Sequence, residues 1–128
     1  MGALFVDAYT LGHGIGGILS CSLLQYSNIQ VLLNFTIANG FHYMMEKTEK
    51  SVAPNGRVLE TMENHIGDIL AFFIGWMIAY VLRLDRYITS KSVHFLWFIL
   101  VGYILKETLR EIYPYESIMW KGAYTVDR

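Results

Sequence analysis

Four short stretches place ionisable side chains in or beside apolar sequence: Asp7 with His13, His42 with Glu46, Asn64-His65 with Asp68, and Lys106 with Glu107. Imidazole next to carboxylate can hold or move a proton as a general acid–base pair. The same side chains suit a divalent ion, and as plain donors and acceptors they suit a polar head group. His42 and Glu46 are four residues apart, as are Asn64 and Asp68, while Thr10 and His13 are three apart. Each pair therefore shares one face of a helix. No His-Glu-x-x-His pattern or close multi-histidine spacing occurs, and Cys21 is the only cysteine. On spacing alone no metal site is predicted, and no cofactor is identified. Nucleophile elbows of the Gly-x-Ser-x-Gly type and phosphate-binding glycine loops are also missing from the sequence.

The setting of these residues makes them costly. Asp68 lies one turn inside the run Ile66–Leu82, which is apolar enough to cross a bilayer. A carboxylate there costs roughly a few kcal/mol at the bilayer centre, and less near the interface. Over the whole chain 54% of residues are hydrophobic and only 16% charged. With 128 residues, a soluble domain would have too much surface to clothe with so few charges. The composition predicts an integral membrane protein; a buried subunit of a soluble assembly is the alternative. No basic run of the kind that tracks phosphates is present, so no nucleic-acid partner is expected. Cys21 sits in an apolar stretch and reads as an inert thiol. Lacking a basic leader region, the N-terminus predicts no cleaved signal peptide, and Val6 stands where a myristoylation motif wants Ser or Thr.

Hydropathy and turn signals predict an all-α fold, a single domain over 1–128 with four transmembrane helices. They are expected at about 5–26, 29–46, 64–84 and 92–110, followed by a short C-terminal tail. Ser27-Asn28 reads as a tight helical hairpin, and Pro54-Asn-Gly56 as a turn between charged flanks. Four crossings put both termini and the second connection on one side. That side holds Lys47, Lys50, Arg57, Lys106, Arg110, Lys121 and Arg128, seven of the ten basic residues. By the positive-inside rule the termini are expected in the cytoplasm.

Antiparallel crossings also gather the polar stretches. The start of helix one, the end of helix two, the start of helix three and the end of helix four all meet at one membrane face. Asp7, His13, His42, Glu46, Asn64, Asp68 and Glu107 are therefore the candidate ligand-binding set, with His13, Glu46 and Asp68 the candidates for catalysis. Ordinary roles compete: Asp7 and Asn64 as helix caps, Glu46 and Glu49 as interfacial partners of lysine, Glu107 as a partner of Arg110. His13 and Asp68 lie deepest, one to two turns in, and least resemble caps. Gly12-x-x-x-Gly16 and the stripe Ala71, Gly75, Ala79 predict close helix packing. Trp76, Trp97 and Trp120 read as core or interfacial anchors, and the Asn34-Phe-Thr36 sequon, inside a crossing, as unused.

Asp7-Ala-Tyr-Thr-Leu-Gly-His13 with Gly17 resembles the Asp-x-Tyr-Thr-x-x-His-x-x-x-Gly opening of a domain-of-unknown-function family of small bacterial integral membrane proteins, distantly VanZ-like. Asn64, Asp68, Ala71 and Gly75 are similar to that family's third-helix pattern. Val101-Gly-Tyr-Ile-Leu-Lys-Glu107 and Ile112-Tyr-Pro-Tyr-Glu-Ser-Ile118 resemble its closing segments. Asn39 and His42 stand where the family repeats acidic residues. The resemblance implies a compact helical membrane fold and a shared polar site at Asp7, His13, Glu46, Asn64 and Asp68. It implies no activity, and its VanZ-like relatives point only towards envelope lipids. Three functions are therefore expected in order: binding of a lipid head group or other polar ligand, a small membrane enzyme acting on lipid-linked substrates, or a structural subunit of a membrane or virion assembly. Membrane lipids are the expected partners, with a homo-oligomer or larger membrane complex as a further arrangement.

Overall fold

The computed structural model describes residues 8–48 and 62–112, with side chains over 10–47 and 62–106. Its elements are four helices, α1 (Ala8–Tyr26), α2 (Val31–Thr48), α3 (Met62–Leu82) and α4 (Val93–Ile112), with a short 3-10 turn at Leu84–Tyr87. No strand occurs among the described residues. The hairpin between α1 and α2 closes as the sequence suggests. Asn28 takes a positive φ of 59°, and the amides of Asn28 and Ile29 donate to the carbonyls of Gln25 and Leu24. This is a Schellman-type ending, and asparagine tolerates its left-handed position better than most residues. At the far end of α3 the helix stops at Leu82 rather than Leu84. Arg83 adopts left-handed angles (φ 54°, ψ 48°) and breaks the run. Its guanidinium then grips Asp85 through two hydrogen bonds of 3.1 and 3.2 Å.

The main packing contact is α1 against α3. A Cβ placed on Gly17 would collide with the Phe72 carbonyl, and one on Gly75 with the Gly14 carbonyl. Backbone thus touches backbone at two points along the interface, which only glycine permits. The predicted Gly12-x-x-x-Gly16 pairing is not the one used. Gly12 faces open space, Gly16 faces Tyr103 and Phe72, and Gly14 with Gly17 makes the α3 contact. A three-residue step keeps those two on the face that α3 meets, whereas Gly12 is turned away.

Interior and exterior are inverted relative to a water-soluble bundle. Buried positions include Thr10, His13, Ser20, Ser22, Asn34, His42, Glu46, Asn64 and Asp68. Leu11, Leu32, Phe41, Ile74, Val81, Phe95 and Phe98 are among the many exposed apolar side chains. A smaller apolar core of Cys21, Ala38, Phe72, Trp76 and Ala79 fills the middle. Trp76 is a core residue, as anticipated, and its partner is specific. Its indole N–H donates to Asn34 Oδ1 at 2.8 Å, while Asn34 Nδ2 donates to the Cys21 carbonyl at 3.1 Å. Asn34, with 0% exposure, ties α1, α2 and α3 together and is not a glycosylation acceptor surface. One helix, Met62–Leu82, is long and apolar enough to cross a membrane; Val93–Lys106 of α4 is a shorter apolar helix.

Two outcomes follow from this packing. Gly75→Val should cost more than the roughly 1–3 kcal/mol of ordinary overpacking, since the obstacle is backbone, whereas Gly12→Ala should be neutral or slightly stabilising. Thermal unfolding in detergent of both variants checks this. Asn34→Leu strands the Trp76 N–H and should lower stability by about 1–3 kcal/mol, measured the same way.

Candidate polar site

Three of the four polar stretches converge, through His13, His42 with Glu46, and His65 with Asp68; from α4 it is Tyr103, and not Lys106, that joins them. His13 comes from the second turn of α1, His42 and Glu46 from the end of α2, Asn64, His65 and Asp68 from the start of α3, and Tyr103 from α4. Asp68 reaches His13 because the glycine contacts just beyond them draw α1 and α3 together. His13 Nε2 lies 3.5 Å from Asp68 Oδ2, and both side chains are almost completely buried. The other ring nitrogen, Nδ1, lies 3.5 Å from Glu46 Oε1 and 2.8 Å from the Tyr103 hydroxyl.

Glu46 is the hub. Its Oε1 also lies 3.7 Å from His42 Nε2, and its Oε2 lies 3.2 Å from His65 Nδ1. One carboxylate, 2% exposed, therefore faces histidines from three helices. The interfacial role open to Glu46 on sequence does not hold, since its side chain turns into the bundle away from water. His42 is held differently. Its ring stacks on Phe72 with centroids 4.0 Å apart and planes 10° off parallel, and it sits 5.0 Å from the His13 ring. Neither His42 nitrogen has a hydrogen-bond partner among the described residues, although the residue is only 3% exposed.

Other expected members are placed less directly. Asn64 is fully buried one turn before Asp68, and Thr10 is buried one turn before His13. Asp7 lies outside the described residues, as does the side chain of Glu107, although its backbone is part of α4. Lys106 is exposed, and His94 is exposed near the opposite end of α4. Sequence reasoning did not single out Tyr103. Its signal was available: a phenol on an apolar helix, one turn before Lys106-Glu107, wants a buried partner for its hydroxyl.

Beside this cluster is an apolar cavity of about 240 Å3 between α1, α2 and α4. Ser20, Leu24, Ala38, Trp97 and Leu100 form its walls, and His42 and Tyr103 belong to its lining. The polar cluster and the greasy cavity thus share two residues. Chemically the arrangement can do three things: pass a proton between His13 and its carboxylate or phenol neighbours, accept a ligand that hydrogen-bonds, or hold a cation between imidazoles and carboxylates. Searches against protein-family models, curated proteins and solved structures find no match to the chain.

Removing the hub should be felt across the bundle. Glu46→Ala deprives three imidazoles of a common neighbour and should lower stability by about 1–3 kcal/mol, the range for stranding buried hydrogen-bonding groups. His65→Ala, at a side chain 21% exposed, should cost much less. Comparing the two by thermal unfolding in one detergent tests the assignment of Glu46 as the centre.

Proposed function

We propose that the chain is a polytopic membrane protein that binds an amphiphile, with the polar head group at the His13–His42–Glu46–Asp68 cluster and an apolar tail segment in the adjoining cavity. The observation that carries this reading is the shared wall: His42 and Tyr103 line the apolar cavity and also belong to the polar cluster. A head group and a hydrocarbon chain are covalently joined, and the two compartments they would occupy adjoin through His42 and Tyr103. At about 240 Å3 the cavity falls just under the roughly 300 Å3 at which small-molecule pockets begin. It takes several methylenes of one chain, and the rest of the molecule lies along the apolar exterior.

Four crossings are the membrane arrangement of this proposal. Support comes from the inverted distribution of polarity, since lipid can solvate the exposed leucines and phenylalanines but not the buried asparagines, histidines and carboxylates. The excess of basic residues beside the α2–α3 connection and the termini favours a cytoplasmic placement of that end. The likeness to the VanZ-like membrane proteins points the same way, towards an envelope lipid as the ligand.

The test is native mass spectrometry of the detergent-purified chain, with lipid extraction and identification. One bound amphiphile per chain is expected, and Ala38→Leu, which adds volume at a wall of the cavity, should reduce its retention at least several-fold. A wild-type chain that carries no amphiphile when purified from membranes, or an Ala38→Leu variant that retains it equally, would overturn the proposal.

A further inference from the structure

The amphiphile reading leaves one buried group unexplained. His42 has two ring nitrogens shielded from water, and neither reaches good hydrogen-bond geometry with a described residue, although the Asp68 backbone lies near the ring. Burying an unpaired polar group costs on the order of 1–3 kcal/mol, so a partner is expected where Nε2 points. It points at Glu46 Oε1, 3.7 Å away, beyond hydrogen-bond reach. A second imidazole nitrogen, His13 Nδ1, lies 3.5 Å from that same oxygen.

Those separations suit a different kind of neighbour. Metal bonds of about 2.0–2.1 Å in tetrahedral geometry put ligand atoms about 3.3 Å apart. His13, His42 and Glu46 each offer one donor atom, all within 4.8 Å of one another and all buried. A small rotation of the imidazoles would bring the three to bonding distance of a common point. Two histidines and one glutamate, with a fourth position left open, is an established donor set for zinc.

The surroundings fit as well. Metal-bound histidines usually have their other nitrogen held by a carboxylate or carbonyl, and bound carboxylates are themselves anchored. Here Asp68 Oδ2 lies 3.5 Å from His13 Nε2, the nitrogen on the far side of the ring. His65 Nδ1 lies 3.2 Å from Glu46 Oε2, the oxygen not directed at the other imidazoles. Stacking on Phe72 fixes the plane of the His42 ring. Each of the three ligands thus has a support drawn from α3.

We infer that His13, His42 and Glu46 form a site for one divalent transition-metal ion of the zinc class, the ion displacing the Tyr103 hydroxyl that lies 2.8 Å from His13 Nδ1 and leaving its fourth position open towards the cavity. The ion offsets the negative charge of two buried carboxylates. It also gives an anionic or oxygen-rich head group something to bind that the carboxylates alone would repel. In that last step the inference rests on the amphiphile reading; the metal site itself does not.

Zinc is the probe. Tag-free chain, purified in detergent and stripped with a chelator, should take up one zinc per chain by elemental analysis after gel filtration. His42→Phe keeps the stack on Phe72 but removes the ligand, and should weaken zinc binding by more than the roughly 10- to 100-fold expected of Asp68→Asn, which removes only a supporting group. His94→Ala, at the other end of the bundle, should bind as wild type does. Should His42→Phe fail to fold, X-ray absorption of the zinc-loaded wild type decides, with two histidine nitrogens expected at about 2.0–2.1 Å. Sub-stoichiometric uptake by the wild type, unchanged binding by a folded His42→Phe, or a spectrum without histidine ligands overturns the inference. Lipid retention measured on the stripped and loaded samples separates the two ideas. Zinc without amphiphile sinks only the amphiphile reading, and amphiphile without zinc sinks only the metal site.

Discussion

Where the carbonyl of Phe72 occupies the space that a side chain at Gly17 would fill, and the carbonyl of Gly14 does the same at Gly75, α1 and α3 cannot slide or rotate past one another. The rest of the bundle is built on that fixed pair. His13 sits one residue before Gly14, and Asp68 two turns before Gly75, so the locked register brings imidazole and carboxylate to 3.5 Å. Packing of small residues and placement of the polar site are consequences of the same contact. In the proposed membrane setting, where hydrophobic exclusion does not drive helices together, such close backbone approach would be a main source of affinity between them.

The second helix is attached by polarity more than by shape. Asn34 links it to the Cys21 carbonyl and the Trp76 indole near one end, and Glu46 links it to three histidines near the other. Between these anchors the contacts are apolar, through Ala38 in the central core. A helix pinned at both ends by buried polar groups has one allowed register, because any slip leaves those groups unsatisfied in a low-dielectric interior. α4 packs on α1 and meets α2 only sparsely, and the cavity lies along that seam. In the proposed reading, that seam is where the ligand chain would enter.

Positions within the polar cluster have unequal parts. Glu46 is central because two oxygens on one side chain can face several partners at once, and its helical offset from His42 keeps both on the inner face of α2. Asp68 faces one histidine. His65, half-buried at the rim, closes the outer side of Glu46. The proposed metal, head group and proton transfer all draw on this asymmetry, since each needs a strongly held centre and an open side. Tyr103 and the cavity supply the open side.

Much was decided by the sequence alone. Apolar runs of the right length determine four helices, and asparagine in the Ser27-Asn28 turn determines where the first hairpin closes. Antiparallel order then puts His13, His42, Glu46, Asn64 and Asp68 at one end, because alternate helices must begin and end together. Their i, i+4 spacing fixes which of them share a face. The sequence could not say which glycines touch a neighbour, since Gly12, Gly14, Gly16 and Gly17 differ only by rotation about one axis and the partner's position selects among them. Nor could it rank Glu46 above Asp68, or show that Tyr103 is the residue of α4 that reaches His13. Those are questions of rotation and of a few ångströms between helices, and such distances are set by contacts among residues far apart in the chain. The possibility of a metal centre belongs there too. Its ligands come from two helices, with His13 29 residues before His42, so the local spacing of His42 and Glu46 does not announce the third, and only the packed bundle brings their donor atoms within 4.8 Å of one another.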